Sequence, residues 1–140
     1  MDRREQDRLR TEDGWVGTAD RQRIAWTLYT RPGRRTVLIV CPGFFKSKDT
    51  PTFRRLCRAL AASWDVLAMD FRGHGRSSGL YTFSAREPQD LHAVLDLARQ
   101  RYARVGVMGF SLGGAIAITT VSHRPADVAA LVAVSAPSEF

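Results

Sequence analysis

The residues with the clearest chemistry lie in Gly109-Phe110-Ser111-Leu112-Gly113-Gly114. A serine hydroxyl attacks an acyl carbon only when a base takes its proton and donors receive the resulting oxyanion. The G-x-S-x-G spacing speaks to the donors. It fits a nucleophile elbow, a strand-to-helix turn so tight that Gly109 and Gly113 leave no side chain to collide. Such a turn holds Ser111 in a sparsely populated backbone conformation and presents its hydroxyl at the positive end of a helix. The plainer alternative is a glycine-rich turn whose serine caps the helix.

An elbow needs a buried strand before it and a helix after it. Val105-Gly106-Val107-Met108 reads as the strand, and the apolar stretch through Ala115-Ile116-Ala117-Ile118 reads as the helix, ending near His123-Arg124-Pro125. Thr36-Val37-Leu38-Ile39-Val40-Cys41 is a continuous apolar run, as in a central parallel strand covered on both faces, and it leads into Pro42-Gly43-Phe44-Phe45. Thr50 suits an N-cap with Pro51 at the first helical position. Phe53, Leu56, Cys57, Leu60, Ala61 and Trp64 then repeat at helical spacing. Asp65 to Asp70 is a further buried strand, followed by the glycine-rich turn Phe71 to Gly79. Ser84-x-x-Glu87 has capping-box spacing and opens a helix whose inner stripe is Leu91, Val94, Leu95, Ala98 and Tyr102. Ala129 to Val134 is the last buried strand.

Upstream, Trp15–Thr18 and Ile24–Thr30 flank Ala19–Arg23 as a hairpin would, with Ile24, Trp26, Leu28 and Thr30 on one buried face. Residues 1–13 are charged and aperiodic and read as a flexible tail, leaving 14–140 as the domain. The fold class is therefore α/β: a mostly parallel sheet with an N-terminal antiparallel hairpin and helices on both faces.

Composition narrows the function classes. The chain has 140 residues, 44% hydrophobic and 25% charged, ordinary for a globular protein. No apolar run reaches the roughly 18–20 residues of a membrane span, and a charged start without a signal pattern implies a cytoplasmic protein. The net charge of +7 raises the question of nucleic acid. The arginines are scattered, however, and no aromatic residues interleave with them, so solvated faces explain them better than a groove. Cys41 and Cys57 lack metal-ligand spacing and read as reduced core residues; no metal and no cofactor are expected.

Three motifs in order carry a resemblance: Cys41-Pro42-Gly43-Phe44, Asp70-Phe71-Arg72-Gly73-His74-Gly75-Arg76-Ser77, and the Ser111 elbow. Together they resemble the N-terminal half of an α/β-hydrolase, over about Trp15 to Phe140. The middle motif, D-x-R-G-H-G-x-S, is the most specific and is similar to the serine aminopeptidase-like and monoacylglycerol lipase-like branch. The resemblance implies Ser111 as nucleophile, with the backbone N–H groups of Leu112 and Phe44 as oxyanion hole. It also implies a small-molecule acyl substrate, and Phe44, Phe45, Tyr81 and Phe83 hint at an apolar site. One departure is Pro42-Gly43 where the family usually has His-Gly, which spares the backbone donor at Phe44.

The family's acid and base follow the nucleophile in the chain. After Ser111 come only His123, Asp127 and Glu139. His123 would lie roughly 18 Å along the helix from Ser111; Asp127 suits a turn. The acid, the base, the last strands and the lid are thus expected to be absent from this chain, which reads as a fragment or a natural half-domain. A serine hydrolase with its acid and base supplied elsewhere is the first reading, and a catalytically inactive binding or interaction module is the alternative. Ala129–Val134 is expected to be an edge strand with an uncovered apolar flank, open to a dimer or partner.

Overall fold

The computed structural model describes residues 8–135. Among these residues six strands form one sheet in the order β1-β2-β4-β3-β5-β6. They are β1 (Arg10–Gly17), β2 (Arg23–Thr30), β3 (Thr36–Cys41), β4 (Asp65–Met69), β5 (Arg104–Phe110) and β6 (Ala130–Val134). Among the described residues three α-helices complete the layers: α1 (Pro51–Leu60), α2 (Glu87–Arg101) and α3 (Leu112–His123). The β1–β2 and β2–β4 pairs are antiparallel, and all others are parallel.

The apolar runs of β3 and β4 are buried on both sides because successive side chains point to opposite faces. Ile39, Cys41, Leu67 and Met69 join Leu91, Val94, Leu95, Val107 and Ile116 in the larger core, under α2 and α3. Val40, Val66 and Ala68 face the other way and pack with Cys57 and Ala61 at α1. Each core therefore holds one free, fully buried cysteine: Cys41 in the larger, Cys57 in the smaller.

Four details differ from the sequence-based expectation. The first strand starts at Arg10, inside the segment expected to be a tail. Its charged residues extend it by pairing Arg10 to Asp13 with Thr30 to Thr27 while their side chains stay in water. β2 is buried on both faces, not one, because Ile24, Trp26 and Leu28 join the larger core while Tyr29, on the second face, packs with Cys57 and Ala61 in the smaller. α1 stops at Leu60, capped by Ala61, and Trp64 sits in the following turn, 43% exposed. Thr50 does cap α1, accepting the Phe53 N–H on Oγ1 at 3.4 Å. At α2, no side chain caps the helix; Glu87 is its first residue and turns back to accept the Thr82 N–H at 2.7 Å and the Thr82 hydroxyl. Residues 1–7 of the expected tail, and Glu139, lie outside the described residues.

Candidate active site

β3, β4 and β5 are parallel, so the loops leaving their C-terminal ends emerge on one edge of the sheet. Register places them together. Cys41 is opposite Gly109, which carries Gly43 alongside Ser111 two residues on.

Ser111 ends the strand and begins α3 at φ 51°, ψ −120°, a conformation that side chains rarely adopt. The residue is exposed. The chain reverses so closely that a methyl group on Gly109 would lie 2.5 Å from the Gly113 carbonyl oxygen, and one on Gly113 would run into the Pro42 and Cys41 carbonyls. A methyl on Gly43 would stand 3.4 Å from Ser111 Cβ. Gly109 and Gly113 are dictated by close approach of backbone, and Gly43 leaves little room beside Ser111. Leu112 occupies the first helical position, where the N–H has no intrahelical acceptor. Among the described residues no acceptor engages the Phe44 N–H either.

The loop after β4 is built by its buried polar groups. Arg72, 2% exposed, is held by the fully buried Asp90 through Nε at 2.9 Å and Nη2 at 2.6 Å, and by Asp20 through Nη1 at 2.6 Å. The Asp70 carboxylate accepts the backbone N–H of Lys48 at 2.8 Å and of Arg76 at 3.1 Å, tying this loop to the one after β3. Gly73 and Gly75 turn the chain at φ 75° and 50°. The Gly75 Cα lies against the Asp70 carboxylate, and any side chain there would strike it.

His74 comes from this turn. Its Nε2 is 3.0 Å from the Phe45 N–H, and its Nδ1 is 3.0 Å from the Arg72 carbonyl oxygen. The ring lies edge-on to Phe44 and Tyr81, with centroids 5.8 and 5.5 Å apart. Phe44, Phe45, Tyr81 and Phe83 form a continuous aromatic wall, and Phe45 and Phe83 are 79% and 80% exposed.

The expected site residues thus divide. Gly109, Ser111, Leu112 and Gly113 share the elbow, and Phe44 reaches it from the neighbouring strand. His123 does not: its Nδ1 lies 2.7 Å from the Thr119 carbonyl on the exposed last turn of α3. Asp127 is occupied by Arg124 at 2.8 Å and Arg99 at 3.3 Å. Of the titratable groups lining the small pit beneath Phe44 and Leu112, His74 is spent on the loops and Glu87 on Thr82. Among the described residues, no side chain hydrogen-bonds the Ser111 hydroxyl. Among the described residues no group of three His, Cys, Asp or Glu is placed to hold a metal, and no helix is long and apolar enough to cross a membrane. Sequence reasoning missed His74 as a link between loops and Glu87 as a buried carboxylate; the D-x-R-G-H-G-x-S motif was the signal for the first.

A tight serine elbow at the C-terminal edge of a mostly parallel sheet defines the class. Residues 36–140 match the family described as alpha/beta hydrolase fold, and the chain belongs to that family. An esterase of Pyrococcus furiosus is 29% identical, with a TM-score of 0.84 over 92% of this chain and 53% of the esterase. An alpha/beta hydrolase of Penicillium, GrgF, is 22% identical, with a TM-score of 0.82 over 91% of this chain and 46% of that one. Est1E of Butyrivibrio proteoclasticus, solved with ferulic acid, is 18% identical, with a TM-score of 0.77 over 84% and 50%. The last two show likeness of fold alone. The chain spans about half the length of these structures. No curated protein matches it by sequence.

Proposed function

We propose that this chain carries the nucleophile and oxyanion hole of a serine hydrolase acting by acyl transfer on an ester, thioester or amide. Ser111 attacks the acyl carbon, and the N–H groups of Leu112 and Phe44 receive the developing oxyanion. The observation that carries this reading is the Ser111 backbone, held at φ 51° with Gly43 packed beside it. Strain of that kind persists where surrounding structure enforces it, and it costs the fold about 1–3 kcal/mol. The D-x-R-G-H-G-x-S loop supports membership of the serine aminopeptidase-like and monoacylglycerol lipase-like branch. The exposed rings of Phe45 and Phe83 favour a substrate with an apolar acyl or alcohol part.

The acid and base come from residues other than those described, since His74, Glu87, His123 and Asp127 are each committed elsewhere. The same commitment favours the second reading, a catalytically inactive binding module. The deciding experiment compares hydrolysis of 4-nitrophenyl butyrate by the chain extended to the full length of its solved relatives, by its Ser111→Ala variant, and by the 140-residue chain. The hydrolase reading expects the extended chain to exceed the other two by several orders of magnitude. Equal rates for the extended chain and its Ser111→Ala variant would leave the binding module. β6 pairs only with β5 among the described residues and exposes Val132 and Val134, which supports a second copy or partner docking at that edge.

A further inference from the structure

We propose that His74 is a positioning residue for the Phe44 oxyanion donor, a role that rests on the hydrolase reading above. The argument starts from proton bookkeeping. The Arg72 carbonyl oxygen only accepts, so His74 Nδ1, 3.0 Å away, carries the proton. The Phe45 N–H only donates, so Nε2, also at 3.0 Å, offers its lone pair. The ring is therefore neutral, in one tautomer, with both nitrogens in use. It has no lone pair left for the Ser111 proton, and it acts on the loop.

That loop needs holding. Phe45 sits at φ 57°, a conformation its side chain disfavours, and the residue is 79% exposed, so burial in the core does not pin it. The hydrogen bond into Nε2 fixes the Phe45 peptide plane, and through Phe44 it fixes the direction of the preceding N–H. His74 can supply a fixed point because its own turn is anchored. The Arg72 N–H donates to Asp90 at 2.9 Å, the His74 N–H to the Phe71 carbonyl at 3.0 Å, and the Ser77 N–H to the His74 carbonyl at 3.0 Å. A histidine from the loop after β4 thereby braces the loop after β3, 29 residues away in sequence.

The brace and the catalysis are tested separately. In the nitrogen-15-labelled 140-residue chain, a scalar coupling across the hydrogen bond should link Phe45 N to His74 Nε2, with Nδ1 protonated. His74→Leu should speed exchange of the Phe45 amide about tenfold, the loss of one net hydrogen bond. His74→Gln, whose amide oxygen reaches the same place, should restore most of the protection. In the chain extended to the full length of its relatives, His74→Leu should lower kcat about tenfold with KM unchanged, because the donor binds the transition state preferentially. Absence of the coupling, or unchanged Phe45 exchange in His74→Leu, overturns the brace. An unchanged kcat in His74→Leu, while Ser111→Ala abolishes turnover, overturns the positioning role and leaves the hydrolase standing. Turnover that survives Ser111→Ala overturns the hydrolase reading itself, whatever the coupling shows.

Discussion

The Pro42 carbonyl oxygen occupies the space in which a side chain on Gly113 would begin. The end of β3 and the first turn of α3 are in backbone contact, so the helix that carries Ser111 is docked directly on the loop that carries Phe44. Gly113→Ala must part them. Overpacking of this kind costs about 1–3 kcal/mol. Urea denaturation should show a lower midpoint with an unchanged slope, and a midpoint equal to that of the unsubstituted chain would contradict the close docking.

The backbone of Ser111 allows a prediction about stability that is independent of catalysis. Alanine keeps the strain at φ 51°, whereas glycine removes it. Glycine gives back about 0.4–1 kcal/mol through its freer unfolded chain. Ser111→Gly should still exceed Ser111→Ala in stability by about 1 kcal/mol, given a strain of about 1–3 kcal/mol. The two variants need only be compared by chemical denaturation, and the reverse order would show that the elbow is relaxed.

Acid sensitivity should trace in part to Asp20. Hydrogen bonds from Arg72, and then from Thr18, pull its carboxyl down to about 2, with Arg86 a further cation 3.8 Å away. A folded-state pKa below the unfolded one adds stability that is full above about pH 4 and lost as pH falls toward about 2. Asp20→Asn should therefore be less stable than the parent at pH 7, with the gap closing across that window. A gap that stays constant between pH 5 and pH 2 would remove Asp20 from the acid transition.

What was legible in the sequence followed from periodicity and from backbone crowding. Leu91, Val94, Leu95 and Ala98 repeat with the turn of a helix and are all buried. Gly109 and Gly113 mark a turn that admits nothing larger. What was not legible depends on partners distant in the chain. Arg10 to Asp13 form a strand because β2 offers them a ladder, which their charges do not advertise. Glu87 has the spacing of a capping box with Ser84, yet it finds Thr82, since the chain before it turns through Phe83 and Ser84 at positive φ. His74 is visible in the sequence only as part of a glycine-rich turn, and the fold is what brings it to the Phe45 N–H.

The edge strand yields a test of assembly. Val132 and Val134 are 45% and 39% exposed on β6, and Val132 lines a groove with Trp64 and Met108. If the edge pairs with a second copy, sedimentation of the 140-residue chain should show concentration-dependent association. Val132→Lys, a charge of the kind that protects natural edges, should weaken it at least tenfold. A monodisperse monomer at all concentrations would count against pairing.

The two cysteines turn the sheet into a partition with a probe on each side. Cys41 belongs to the core under α2 and α3, and Cys57 to the core under α1. Burial pushes both thiols up, that of Cys57 to about 12, so neither reacts while its layer stays closed. A thiol reagent therefore times the opening of each layer separately. Equal labelling times would mean that the molecule opens as one unit; early capture of Cys57 would mean that α1 lifts away while the layer bearing Ser111 remains shut.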